Sequence, residues 1–264
     1  MIIYKSESEI QAIRKANQIV AKVLSELAEM VRPDITTREL DRYAEKRTRE
    51  LDAIPAFKGY RGYPASLCTS LNEEIVHGIP SNRRLKEGDI LSIDFGAIFD
   101  AFYGDAAVTF PVGKITAAAE KLITAAEESF FKGIEQAVPG KRIGDISAAV
   151  QAHVESRGFS VIRNFVGHGI GFSLHEEPQV PNFGLAGHGP KIKPGMVLAI
   201  EPMIAAGDWD VEILADNWTA VTRDRSLSAH HEHTIAVTQD GPQILSSLND
   251  TKGGRSGLKE PLHA

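Results

Sequence analysis

From residue 7 to residue 31 the apolar positions Ile10, Ile13, Val20, Val23, Leu24 and Leu27 recur at three- and four-residue intervals, which predicts an amphipathic helix. Ser6 followed by Glu9 forms a capping-box signal at its start, and Pro33 ends the pattern. Thr36 with Glu39 repeats that signal and opens a second helix to about Leu51, with Leu40, Tyr43 and Ala44 on one side. Residues 57 to 113 then change period. Ser66 to Thr69, Glu74 to His77 and Ile90 to Phe95 read as strands, and Ala101 to Val112 alternates as a hairpin does.

The second half repeats this grammar. Ala117 to Ala137 is helical, Pro139 stands where Pro33 stood, and a further helix runs to about Arg157. Strand-like segments follow at Ser160 to Val166, at Val197 to Glu201, around Val211 and at Glu232 to Val237. Two nine-residue stretches are near copies: Lys86 to Asp94 (KEGDILSID) and Lys193 to Glu201 (KPGMVLAIE), set 107 residues apart, each ending an apolar run in a carboxylate. The turns His77-Gly-Ile-Pro and His168-Gly-Ile-Gly echo one another ahead of these two acids. The repeat implies one domain over residues 1–247, built of two pseudo-symmetric α+β halves, about 6–113 and 114–245. Residues 248–264, with Gly253, Gly254 and Gly257 and no apolar period, read as a flexible C-terminal tail.

Composition narrows the setting. A net charge of −6 gives no whole-chain attraction to nucleic acid or to anionic lipid, so neither is an expected partner. A single cysteine, Cys68, excludes an intrachain disulfide. No run of 18 apolar residues is present to span a bilayer, and residues 1 to 15 lack the apolar segment of a signal peptide. A cytoplasmic protein is expected.

Buried carboxylates need partners, because an isolated charge in an apolar interior is costly. Asp94 is followed after 11 residues by Asp105 in IDFGAIFDAFYGD, and Glu201 after 31 by Glu232 in HEHTIAVT. A twofold arrangement brings these four acids together. With His168 as a nitrogen donor they make a mixed oxygen and nitrogen set suited to two divalent ions such as Mn, Fe, Co or Zn. Two such ions about 3.5 to 4 Å apart can hold a water and polarise a carbonyl, which is hydrolytic chemistry.

The order Asp94, Asp105, His168, Glu201, Glu232, with the surrounding IDFGAIFDAFYGD, GHGIGFSLHEEP, IEPM and HEHT, resembles the type I methionine aminopeptidases over essentially residues 4 to 245. The long insertion that type II relatives carry between the two glutamates is missing. The resemblance implies the pita-bread fold around a dinuclear metal site, and removal of the initiator methionine from nascent proteins when the second residue is small, by attack of a metal-bridged water or hydroxide on the scissile carbonyl. It makes Asp105 and Glu232 bridging ligands, His168 and Glu201 ligands to one ion, and Asp94 the chelator of the other. Glu201 is then also the general base, His175 the donor to the carbonyl oxygen and oxyanion, and His77 the contact to the substrate amide. Asn72 and Ser228 match positions whose backbone oxygens hold a monovalent cation in some relatives. Transient ribosome contact, a monomer and a bacterial form are implied in the same way.

For the methionine side chain the matching positions are Phe57, Tyr60, Tyr63, Cys68, Leu174 and Trp218, an apolar and aromatic set suited to a thioether. Two departures stand out. Leu174 occupies a position where an aromatic is common, and His230 and His231 stand where glutamine and an aromatic are more usual, which bears on the pocket, the entrance and the metal preference. None of His230, His231 and His233 is expected to ligate; alternation points His231 and His233 away from the face used by Glu232. His153, His188 and His263 are expected in solvent. His175-Glu-Glu-Pro lacks the second histidine of a zincin helix, and no nucleophile elbow or phosphate-binding loop occurs. Two rivals share the fold: a proline-selective peptidase, which usually carries an extra N-terminal domain, and a non-catalytic binding module, which has lost its ligands.

Overall fold

The structure is a computed structural model and describes residues 1–248; apart from Leu248, the tail expected over 248–264 lies outside the described residues. Helix α1 spans Glu7–Met30 and α2 spans Thr37–Glu50. Both predicted capping boxes form: Ser6 and Thr36 accept the N–H groups of Glu9 and Glu39, whose carboxylates accept the Ser6 and Thr36 N–H groups in return. In the second half α3 (Ala117–Ile134) and α4 (Ile143–Ser156) take the places of α1 and α2.

Strands Ile90–Phe99 and Phe102–Pro111 form a hairpin whose two turn residues, Asp100 and Ala101, have φ of 49° and 65°. Positive φ at both central positions matches the right-handed twist of the flanking strands, so the pairing runs without interruption from Ile90 with Pro111 to Phe99 with Phe102. This hairpin is one side of a nine-stranded sheet. The central order is Ile90–Phe99, Phe102–Pro111, Glu232–Thr238, Val197–Ile200, with Gly167–Gly169 and Glu176–Val180 beyond. The two repeated segments are therefore the outer strands of a four-strand centre, and the strands of Asp105 and Glu232 meet at its middle. That is the two-half arrangement the repeat implies.

Each half has its own apolar layer. Val20, Val23 and Leu27 of α1 pack with Leu91, Ile93, Phe95 and Val108, while Leu122, Ala126 and Phe130 of α3 and Val150 of α4 pack with Leu198, Ile200 and Ile235. Helix α1 lies unusually close to the hairpin: a Cβ on Gly104 would sit 2.7 Å from the Asn17 nitrogen and 2.8 Å from the Ala16 carbonyl carbon. Only glycine fits there.

One segment departs from expectation. Of Ser160 to Val166, only Ser160–Val161 is a strand, because its neighbour Met203–Ala205 is three residues long and its last contact is the Ile162 N–H donating to the Met203 carbonyl at 3.0 Å. Beyond them the chain is irregular and carries Phe165 and Val166 into the wall of a cavity.

Candidate metal centre

Cross-strand register assembles the acids. Cys68 pairs with Asp94, Asp94 with Ala107, and Ala107 with Glu232, so these four residues form one row across the sheet. Asp105 lies two residues before Ala107 and shares its face. The small Ala107 separates two acids and leaves room between them. Glu201 follows the next strand immediately after Ile200, which pairs with His233, and His168 pairs with Ala199 on the strand beyond. The Asp105 backbone is held on both sides, its N–H donating to Asn17 Oδ1 at 3.2 Å and its carbonyl accepting from Thr234 Oγ1 at 2.8 Å.

His168 Nε2 lies 3.5 Å from Glu201 Oε1 and 3.9 Å from Asp105 Oδ2. Its other ring nitrogen, Nδ1, donates to the Gly169 carbonyl at 2.9 Å. A carbonyl accepts only, so Nδ1 carries the proton and the Nε2 lone pair faces the acids, the tautomer a metal ligand requires. Burial lowers the His168 pKa to about 4, which keeps the ring neutral.

The carboxylates are under strong electrostatic tension. Burial pushes Asp94 up to about 7. Asp105, Glu201 and Glu232 are all driven well above the usual carboxylate range, by burial first and then by one another's charge. Asp94 Oδ1, Asp105 Oδ1 and Glu232 Oε1 are fully buried with no hydrogen-bond partner. Orphaned buried oxygens in a converging acidic set, with a neutral imidazole lone pair, are what a divalent cation satisfies. Asp105, His168 and Glu232 offer ligand atoms within 4.8 Å of one another. The residues present fit such an ion.

These groups form the floor of a cavity of about 190 Å³. All six positions expected to hold a side chain line it: Phe57, Tyr60, Tyr63, Cys68, Leu174 and Trp218. So do His77 and His175. Val76, Phe165, Val166 and Met203 add apolar surface that no motif marked, and Arg61 sits at the edge over the Tyr60 ring. The two histidines differ in setting. His77 has a φ of 62°, packs edge-on against Phe165, and is held below its ordinary pKa by burial. His175 as a residue is exposed, yet its ring is enclosed between Tyr60 and His168, with Tyr60 Oη 2.9 Å from Nδ1 and the His168 ring centroid at 4.3 Å. That enclosure, then the neighbouring His168 and Arg61, holds its pKa down. Asn72 and Ser228 also meet, the Ser228 N–H donating to the Asn72 carbonyl at 2.8 Å.

The remaining histidines divide. His231 and His233 turn away from the acids onto Phe130, and His233 Nδ1 pairs with Ser246 Oγ at 2.8 Å. His188 is exposed, and His263 lies outside the described residues. His153, expected in solvent, instead faces α3 and pairs with Glu128 at 2.9 Å, its side chain only 13% exposed. His230 is the larger departure. The alternation that turns His231 away brings His230 to the side of Glu232, and it forms a second potential ligand group with Glu201 and Glu232.

Comparison with known proteins agrees with this geometry. The sequence model of metallopeptidase family M24 matches residues 11–239. The chain is 55% identical over 248 residues to a methionine aminopeptidase of Clostridium perfringens, covering 94% of this chain and all of that one. It is 52% identical over 248 residues to methionine aminopeptidase 1 of Bacillus subtilis, with the same coverage. The crystal structure of a methionine aminopeptidase from Thermotoga maritima superposes with a TM-score of 0.92 at 46% identity, over 94% of this chain and 100% of that one.

Proposed function

The chain belongs to metallopeptidase family M24, and from that premise we propose that it is a metal-dependent aminopeptidase that removes the N-terminal methionine from nascent proteins whose second residue is small and uncharged. The observation that carries this reading is the convergence of unpartnered buried carboxylate oxygens and the His168 lone pair on the floor of a small aromatic cavity. A cavity of about 190 Å³ suits one side chain rather than a peptide segment.

Asp94, Asp105, His168, Glu201 and Glu232 would hold two divalent ions, of Co, Mn, Fe or Zn, with Asp105 and Glu232, on the two inner strands, shared between them. Those ions supply Lewis acidity and make water a nucleophile near neutral pH. Glu201 takes the proton from the attacking water and returns it to the leaving amine. His175, with Nδ1 accepting from the Tyr60 hydroxyl, presents its Nε2 proton to the oxygen that becomes negative as the carbonyl is attacked. His77, packed against Phe165 and Trp218 in the same cavity, holds the scissile amide. Phe57, Tyr60, Tyr63, Cys68, Leu174 and Trp218 enclose the methionine side chain, and the apolar, polarizable lining favours its sulfur. The backbone oxygens of Asn72 and Ser228 would hold a monovalent cation.

We read residues 1–247 as one catalytic domain, acting as a monomer in the cytoplasm with transient ribosome contact. No helix among the described residues is long and apolar enough to cross a membrane. The deciding experiment measures methionine release from Met-Ala-Ser, Met-Leu-Ser and an Xaa-Pro peptide with Mn, Fe, Co or Zn added. Preference for Met-Ala-Ser is expected. Preference for the Xaa-Pro peptide would favour the proline-selective rival, and no turnover with any metal would favour the binding module.

A further inference from the structure

His230 belongs to no motif used above, yet it sits against the acids. Its side chain is 1% exposed and neither ring nitrogen has a hydrogen-bond partner. Nε2 lies 3.8 Å from Glu201 Oε2 and 3.9 Å from Glu232 Oε2. Those separations are too long for hydrogen bonds. They suit two atoms ligating one ion, since bonds of about 2.0 to 2.2 Å on each side place ligand atoms up to ~4 Å apart. The ring is delivered by a fixed backbone: the Thr109 hydroxyl accepts from the His230 N–H at 2.9 Å and donates to its carbonyl at 2.8 Å, while Met203 pairs with His230 across the adjoining strand. Glu201 therefore stands between two imidazoles, with Oε1 facing His168 and Oε2 facing His230.

We propose that His230 is an additional metal ligand, binding a divalent cation of the centre through Nε2 together with Glu201 and Glu232. The inference rests on the metallopeptidase reading of the site. A second imidazole moves the donor set from oxygen-rich toward nitrogen, which favours Zn or Co over Mn. This chain thereby differs in metal selectivity from relatives with an amide at the same position.

The test is X-ray absorption of the zinc-loaded full chain, counting imidazoles per zinc from their outer-shell scattering, with zinc per chain measured by mass spectrometry. The expected result is about two imidazole ligands per chain in the wild type and about one in His230→Gln. Zinc affinity should also fall by about tenfold or more in the variant, with a smaller loss for Mn. About one imidazole per chain in the wild type overturns the proposal, whatever the variant does, and leaves the dinuclear reading intact. Failure of the wild type to retain zinc overturns the proposal, and failure to retain any of Zn, Co, Fe and Mn overturns the metallopeptidase reading as well.

Discussion

Tyr60 Oη and His175 Nδ1 lie 2.9 Å apart, so one phenol fixes the orientation of the imidazole that we propose stabilises the oxyanion. In Tyr60→Phe the Nδ1 partner is lost while the ring stack can persist. The imidazole is then free to take the tautomer with its proton on the wrong nitrogen. A fall in kcat of about fivefold is expected, with KM and bound metal little changed, since losing one orienting hydrogen bond costs about 1 kcal/mol. Steady-state kinetics beside metal analysis decides the matter; an unchanged kcat would show that Tyr60 serves only as pocket wall.

The acidic floor makes the metal-free protein sensitive to pH. Asp94 rises to about 7 on burial, and Asp105, Glu201 and Glu232 are raised as well. A carboxyl whose folded pKa exceeds its unfolded value contributes stability that is full below the unfolded value and lost as pH rises through the folded one. At pH 7 and above the buried histidines, whose pKa values burial lowers, are neutral in both states and add little, so the metal-stripped protein should melt lower at pH 8 than at pH 7, by roughly 5 °C, and added Mn should restore more at pH 8. Asp105→Asn removes one of the mutually repelling charges. It should raise the pH 8 melting temperature of the stripped protein while lowering metal content and activity together. Melting curves with chelator or Mn at both pH values provide the check, and full activity in that variant would count against a dinuclear centre.

Much of this arrangement is legible in the chain. The repeat of KEGDILSID in KPGMVLAIE marks the outer strands of the central four, and the capping residues Ser6 and Thr36 mark two helix starts because both signals act over three residues. What escapes depends on contacts far apart in sequence. Met203 reaches the cavity through a strand pairing that no local pattern specifies, and Phe165 through the irregular chain that follows where Ser160–Val161 runs out of its neighbour. His230 is legible too: it lies two residues before Glu232, and the alternation that turns His231 away places His230 beside the acids.

Gly104 tests how closely α1 must approach the hairpin. A Cβ there meets backbone atoms of Ala16 and Asn17 at 2.7 to 2.9 Å, and backbone cannot rotate aside as a side chain would. Gly104→Ala should destabilise the fold by about 2 to 3 kcal/mol. Pushing α1 outward also strains the Asn17 bond to the Asp105 N–H, so metal affinity should fall too. Denaturant unfolding and metal titration of the variant test this pair of effects; wild-type values in both would refute the close approach.

Lys5 and Glu176 form an ion pair with side chains only 1% and 5% exposed, linking the N-terminal segment to the loop that carries His175. The Glu176 carboxylate also accepts the Phe172 and Ser173 N–H groups at 2.7 and 3.1 Å, so it fixes the backbone just ahead of His175. Lys5→Met leaves that carboxylate buried without its cation, which should cost about 3 to 5 kcal/mol. The loosened loop should also lower kcat. In the double variant Lys5→Met with Glu176→Gln no charge is stranded, and because both N–H groups donate to the one oxygen Oε1, an amide oxygen there can still accept both. It should therefore recover a large part of the lost stability, and with it some of the activity. Melting temperatures of the single and double variants, read with kcat, separate the two costs: a double variant no more stable than Lys5→Met would mean that lost packing, rather than an unpaired buried charge, is what the single substitution exposes.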